Sequence, residues 1–235
     1  MLKASFSSVI SNSDFRILWL NQLLMQLAIN ALNFTLIIWV YKLTNSNFAV
    51  STLILAMYLP ALILGIFTGV FVDLVNKKKI IILVDIFLAL IIFSFIAVKY
   101  YFPLILLNVF LINTLTQFSI PAESSSIPRV VSKARLFIAN SLFSLTLYGS
   151  FMIGYTLAGP VFEFLGVDMI FYFGAAVLLT GSIISQNLPA LGRTTLKNKL
   201  KEGVFKLALS ESRKTFEFIS GKLNVMVAIG LLSFV

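Results

Sequence analysis

The 235-residue chain contains no cysteine and no histidine. Without cysteine there can be no disulfide and no thiolate metal site. Without histidine the chain lacks the commonest metal ligand, the commonest general base and the usual near-neutral proton switch. Charge is also scarce. Only 11% of the residues are charged, against 59% hydrophobic and a mean hydropathy of +1.00. Soluble domains carry about a quarter charged residues. So few charges cannot cover this much apolar side chain in water, and lipid is the solvent the composition fits. An enzyme working inside the membrane would need an acid pair or a nucleophile with its base. No paired acids are visible in the apolar stretches, so no enzymatic activity, metal or cofactor is expected. The N-terminal stretch MLKASFSSVISNSDFR has neither an apolar core nor a small-residue cleavage site of its own. It is not read as a secretory signal, and the first long apolar segment is expected to be retained.

What is present in quantity is long apolar runs. A spanning helix needs about 20 mostly apolar residues. Six segments are predicted to reach that length, at 17–41, 48–72, 80–98, 103–120, 136–163 and 169–188. A seventh starts at Leu223, and 13 residues of it are present. The joining stretches LTNSN, KYYFP and LGVD are short, which makes neighbouring helices antiparallel. The predicted divisions are an N-terminal segment 1–16, a six-helix domain 17–188, a loop 189–222 and the start of a seventh span at 223–235.

The net charge of +9 could point to nucleic acid. The positions of the cations exclude that reading. Of the 18 lysines and arginines, 16 fall on one side of the predicted spans, and only Lys42 and Lys99 fall on the other. Positive residues accumulate on the cytoplasmic side of membrane proteins. The N-terminus and the 189–222 loop are therefore expected in the cytoplasm, with the chain in the cell inner membrane and its basic loops against anionic lipid. Within that loop Leu196, Leu200, Val204 and Leu207 share a helical face, opposite Lys199, Glu202 and Lys206. This reads either as a basic amphipathic helix on the inner leaflet or as a solvated linker with a few helical turns.

Between the second and third spans the chain reads GVFVDLVNKKK. Asp73 and the lysines mark where the helices leave the hydrocarbon. Asn76 tolerates positive φ, so a left-handed residue is predicted there. The pattern Gly69-x-x-x-Asp73-x-x-Asn76-Lys77-Lys78 resembles the loop 2–3 signature of the major facilitator superfamily, G-x-x-x-D-R/K-x-G-R/K-R/K. Leu74 replaces a basic residue and Asn76 a glycine. FRILWLNQLLMQLAIN, YKLTNSNFAV with LPALILGIFTGVFVD, and PAESSSIPRVV with ANSL resemble the drug and macrolide efflux branch, which includes siderophore exporters. Together these stretches cover about residues 15–190.

The resemblance implies an all-α membrane fold: the six-helix N-terminal half of a major facilitator transporter, built as two inverted three-helix repeats, plus the start of a seventh helix. It implies secondary active export of an amphipathic drug-like molecule, macrolide or siderophore by alternating access, coupled to protons. It also implies that Asp73, supported by Gly69, Asn76, Lys77 and Lys78, latches onto the second half. A charged turn that only sets topology is the alternative. The second half would be another copy or a separately encoded chain. A truncated, non-transporting membrane protein is the competing class.

Polar residues inside the spans carry the remaining signal, because amides in hydrocarbon are costly without a partner or a wet cavity. Gln22, Gln26, Asn30 and Asn33 recur at helical spacing and fall within a stripe roughly 80° wide. Asn113 and Gln117 share a face of the fourth span, with Asn108 off it and read as packing. The resemblance implies that the first helix of each triplet lines the central pathway. These six amides are read as facing a substrate cavity, with interhelical hydrogen bonding as the alternative. Asn30 stands where relatives often carry an acid, and it cannot titrate. Asp85 lies about two turns into the third span. Relatives often read D-x-x-R-A there, and Leu88 takes the arginine's place. Asp85 is either a proton site or half of an ion pair with Arg16, Lys133 or Arg135. Glu163 is read as lying at a wet interface.

Gly159-Pro160 resembles the core of the exporter motif G-x-x-x-G-P-x-x-G-G, with Gly154 five residues before Gly159 and Glu163-Phe164 replacing the last glycines. It would bend the fifth span for function or for packing. Gly65-x-x-x-Gly69 is read as a helix-packing face. The partners expected are the lipid bilayer, a small-molecule substrate, protons and a second six-helix half.

Overall fold

The computed structural model describes residues 6–192 and 204–220, and every regular element among them is helical. A short α1 (Phe6–Ile10) leads into α2 (Ser13–Thr44), α3 (Asn47–Leu74), α4 (Lys77–Val98) and α5 (Phe102–Ser124). A single turn α6 (Ile127–Val130) and a 3-10 turn (Lys133–Arg135) connect to α7 (Leu136–Leu165) and α8 (Val167–Ser185). A separate α9 runs Val204–Ser220. Among the described residues six helices are long and apolar enough to cross a membrane, in the predicted order. The predicted seventh span, and Leu196, Lys199, Leu200 and Glu202 of the predicted amphipathic helix, lie outside the described residues. The described helix of that loop, α9, lies against α3, with the Phe67 and Phe205 ring centroids 5.4 Å apart.

Polar side chains set the helix ends. Asn12 Oδ1 accepts from the Phe15 amide at 3.1 Å and starts α2, and Ser46 Oγ accepts from the Ala49 amide at 3.3 Å and starts α3. Between them Asn45 ends α2 in the left-handed region at φ 50°. Gly166, at φ 80°, makes the tight joint between α7 and α8. Asn76 does not take the left-handed backbone predicted for it. Its φ is −70°, and its Oδ1 accepts from the Lys78 amide at 3.1 Å. An asparagine serves a helix start as well as it serves a left-handed turn, and here α4 begins immediately after it.

The helices associate in a symmetric pattern. The most extensive contacts join α2 to α7, α3 to α5 and α4 to α8, followed by α2 to α8 and α4 to α5. Exchanging α2 with α5, α3 with α7 and α4 with α8 maps this set onto itself. The domain is therefore two triplets, α2-α3-α4 and α5-α7-α8. Each triplet has three spans, an odd number, so the second starts from the opposite side of the membrane and is inverted. Lipid is as apolar as leucine, so close packing rather than hydrophobicity holds such helices together. Gly154 shows this. A Cβ there would stand 2.9 Å from Asn30 Cβ and 3.2 Å from the Ala31 amide nitrogen. By contrast, nothing among the described residues lies within 4 Å of where a Cβ on Gly65 or Gly69 would be. The predicted Gly65/Gly69 packing face is therefore not used inside this bundle, since α3 makes its main contact, with α5, elsewhere on its surface.

At the end away from the lysine-rich loop, Lys99 Nζ bonds both oxygens of Asp168 at 2.5 Å, joining the end of α4 to the start of α8. The Trp39 indole N–H donates to the Lys99 carbonyl at 2.7 Å and adds α2 to the joint. The hydrogen bond to Asp168 raises the pKa of Lys99 above the ordinary lysine value.

Candidate functional site

Helical periodicity puts the predicted amides on one side of the bundle. Two adjoining cavities, each about 370 Å³, open along the face shared by α2, α3, α5 and α7. Gln26, Asn30, Asn33, Asn113 and Gln117 line one, and Gln22 and Gln26 line the other. All six predicted residues thus meet on one concave face, to which α4 and α8 contribute nothing. The two readings of the stripe are not exclusive. Gln22 Nε2 donates to the Phe143 carbonyl of α7 at 3.3 Å, while its Oε1 is buried without a hydrogen-bond partner. Asn113 Nδ2 donates to Val109 of its own helix at 2.9 Å, and Asn108, off the stripe, bonds Ser94 of α4 at 2.8 Å as packing.

The sequence reading missed the aromatic part of this wall. Tyr58, Phe151 and Tyr155 line the same cavity, with the Phe151 and Tyr155 ring centroids 4.3 Å apart and Phe34 and Tyr155 5.0 Å apart. In a chain with 23 phenylalanines, aromatic residues mark no face by themselves. Among the described residues no lysine or arginine lines either cavity, and the acidic residue that does is Glu123.

Glu123 was also missed as a membrane residue. It belongs to the PAESSS stretch, beyond the predicted span 103–120, but α5 continues through Pro121 to Ser124. The signal was there: Asn113, Thr116, Ser119 and Glu123 continue one helical face, and all are buried. Asp85 on α4 is 1% exposed and makes none of the predicted ion pairs. Arg135 instead donates to the Ser8 carbonyl at 3.0 Å. Asp85 Oδ2 and Asn21 Oδ1 both lie beside Gly181 of α8, 3.6 Å and 2.8 Å from where a Cβ there would stand.

The residues of the 69–79 motif divide into two groups. Lys77 is buried, with Nζ 3.1 Å from the Val72 carbonyl and 3.4 Å from Asp73 Oδ1, while the Asp73 side chain is 68% exposed. Lys78 turns the other way and donates to the carbonyls of Gln186 and Leu188 at 2.7 and 2.6 Å. Arg129 reaches the Leu191 carbonyl at 2.9 Å. The segment leaving α8 is thus tied to two loops at the lysine-rich end. Gly159 and Pro160 lie within an unbroken α7, where a Cβ on Gly159 would meet only Phe34 Cε1 at 3.7 Å. The tight contact of this helix is at Gly154.

The Major Facilitator Superfamily model matches residues 18–235. No curated protein matches the chain.

Proposed function

Because the chain belongs to the Major Facilitator Superfamily, a family of multi-pass membrane transporters, we propose that it acts as the N-terminal six-helix half of a secondary active exporter. The observation that carries this is the convergence of six neutral amides, from the first helix of each inverted triplet, on one concave face. A second six-helix half, from the same or another chain, closes over that face. Rocking of the halves then exposes the cavity to each side in turn. Amides, tyrosines and a single carboxylate fit an amphipathic cargo that is aromatic or polyoxygenated, such as a drug-like molecule, a macrolide or a siderophore. In this reading the lysine-rich end faces the cytoplasm and the protein lies in the inner membrane, which the cation distribution supports. Protons supply the coupling through Asp85. Asp73 is exposed beside Lys77 and serves as the latch toward the second half.

The test is cargo transport by membrane vesicles containing the complete transporter. Gln26→Ala and Asn33→Ala are expected to raise KM for cargo about five- to tenfold, the size of one lost hydrogen bond. Asp73→Asn is expected to reduce turnover while leaving KM unchanged. Unchanged kinetics in both amide variants would remove the cavity reading, and normal turnover with Asp73→Asn would remove the latch.

A further inference from the structure

Two cations of the lysine-rich end bond to backbone carbonyls of a single segment. Lys78 Nζ donates to Gln186 at 2.7 Å and to Leu188 at 2.6 Å, and Arg129 donates to Leu191 at 2.9 Å. All three acceptors lie in residues 186–191, where the chain leaves α8. Gln186, Asn187 and Leu188 close that helix by donating to the carbonyls three residues back, at 3.2, 3.1 and 3.1 Å. Pro189 has no amide N–H to carry the pattern on. Leu188 and Leu191 are each 2% exposed, while Pro189 and Ala190 between them are exposed. Gly192 follows against Asn76, where a Cβ would stand 3.8 Å from the asparagine side chain. The segment is thus irregular in backbone and yet held by two buried leucines and two cationic side chains.

The two anchors come from different triplets. Lys78 is the second residue of α4, in the first triplet. Arg129 sits in α6, on the connection from α5 to α7 in the second. That connection is itself fixed. Ile127 and Val130 are buried, Asn12 Nδ2 donates to the Val130 carbonyl at 2.8 Å, and Arg135 donates to the Ser8 carbonyl at 3.0 Å. The exit of α8 is therefore held first by the other triplet, at Lys78, and then by the connection within its own, at Arg129. Carbonyls at a helix C-terminus lack partners inside the helix, and cations are favoured there. Hydrogen bonds from an ammonium or a guanidinium are also about twice as strong as those from neutral donors.

We propose that residues 186–191 form a strap, with Lys78 and Arg129 as its positioning residues, that fastens the two triplets to each other at the lysine-rich end and fixes where the chain leaves the six-helix half. The family resemblance groups Lys78 with Asp73, in a latch toward a second half. The strap gives Lys78 a different task. Two of the three N–H donors of its ammonium are spent inside its own half. Asp73, on the preceding helix, is exposed beside Lys77 and touches none of the strap carbonyls. The motif therefore serves two ends, with Asp73 turned outward and Lys78 turned to the exit of α8. Triplets fastened in this way move as one body, which rocking of whole halves requires. That use of the strap rests on the exporter reading; the strap itself does not.

The test is hydrogen–deuterium exchange, read by mass spectrometry on the full chain in lipid nanodiscs, which needs neither cargo nor a second half. The reporters are the amides of Gln186, Asn187 and Leu188. Lys78→Ala and Arg129→Ala are each expected to speed their exchange about tenfold, the size of one lost charge-assisted hydrogen bond. Arg129 holds Leu191 alone, so its effect on residues 186–188 reads the strap as one unit. Lys78→Arg keeps a cation and its donors and is expected to restore slow exchange. Lys79→Ala removes the exposed neighbouring cation, and Asp73→Asn the latch acid; both are expected to leave exchange unchanged. Where Lys78→Ala fails to fold, the exposed Arg129 carries the test. Unchanged exchange in the alanine variants of both anchors, fast exchange in Lys78→Arg, or equal acceleration by Lys79→Ala or Asp73→Asn would each overturn the proposal. If exchange behaves as expected and vesicles do not transport, the exporter reading fails and the strap stands.

Discussion

At the scale of single residues, Lys99 and Asp168 join the end of α4 to the start of α8, at the end of the bundle away from the lysine-rich loop. The amides of α2 and α5 follow the 3.6-residue period, and their meeting on one face needed only that period. Asn76 shows the opposite case. Its identity is compatible with both a left-handed turn and a helix cap, and only the start of α4 at Lys77 selects the cap. Lys99 and Asp168 are 69 residues apart in the chain and were not paired by the sequence reading. Their contact has a pH signature. Lys99 has its pKa raised in the folded chain, first by the hydrogen bond from its ammonium to Asp168. The pair's contribution to stability should therefore be fully present below the ordinary lysine value and be lost as pH rises through the higher folded value. Thermal unfolding of the detergent-solubilised chain is expected to show a fall in Tm across that alkaline window. Asp168→Asn should flatten it, and an identical fall in that variant would mean that another group is responsible.

At the scale of helices, the six spans and their order could be read directly, because a bilayer demands long apolar runs and this chain has them. The end of α5 could not. Pro121 and three serines look like a loop in water. In the folded chain the serines bond back to their own helix: Ser124 to the Ile120 carbonyl at 2.8 Å, Ser125 to Pro121 at 2.5 Å and Ser126 to Ala122 at 2.5 Å. These bonds satisfy carbonyls near the helix end, so the helix runs on and carries Glu123 inside. Gly154, five residues before Gly159 and displaced from the motif spacing, proved to be the glycine that sets the α2–α7 distance. Gly154→Ala is expected to cost about 1–3 kcal/mol, typical of overpacking, because the atoms it meets belong to or adjoin the α2 backbone. Gly159→Ala should be close to neutral, since it meets only the edge of Phe34. Equal losses of stability in the two variants would contradict the close approach assigned to Gly154.

At the scale of the whole molecule, the sequence reading anticipated an inverted pair of triplets from family resemblance, without visible similarity between the triplets themselves. The symmetry appears instead in the most extensive helix contacts, a set that is unchanged when one triplet is exchanged for the other. That symmetry places α2 and α5 as equivalents and explains why both carry amides on the same concave face. The central claim is that this face is wet and binds cargo while the opposite surfaces meet lipid. The absence of cysteine from these 235 residues makes it directly measurable, because each introduced thiol is the sole target within them for a water-soluble maleimide. In vesicles containing the complete transporter, Gln26→Cys, Asn33→Cys and Gln117→Cys are expected to react and to be protected by cargo, while Leu90→Cys and Phe173→Cys, exposed on the outer surface of α4 and α8, should stay unlabelled. Labelling of the α4 and α8 positions with silence at the three amide positions would contradict the account.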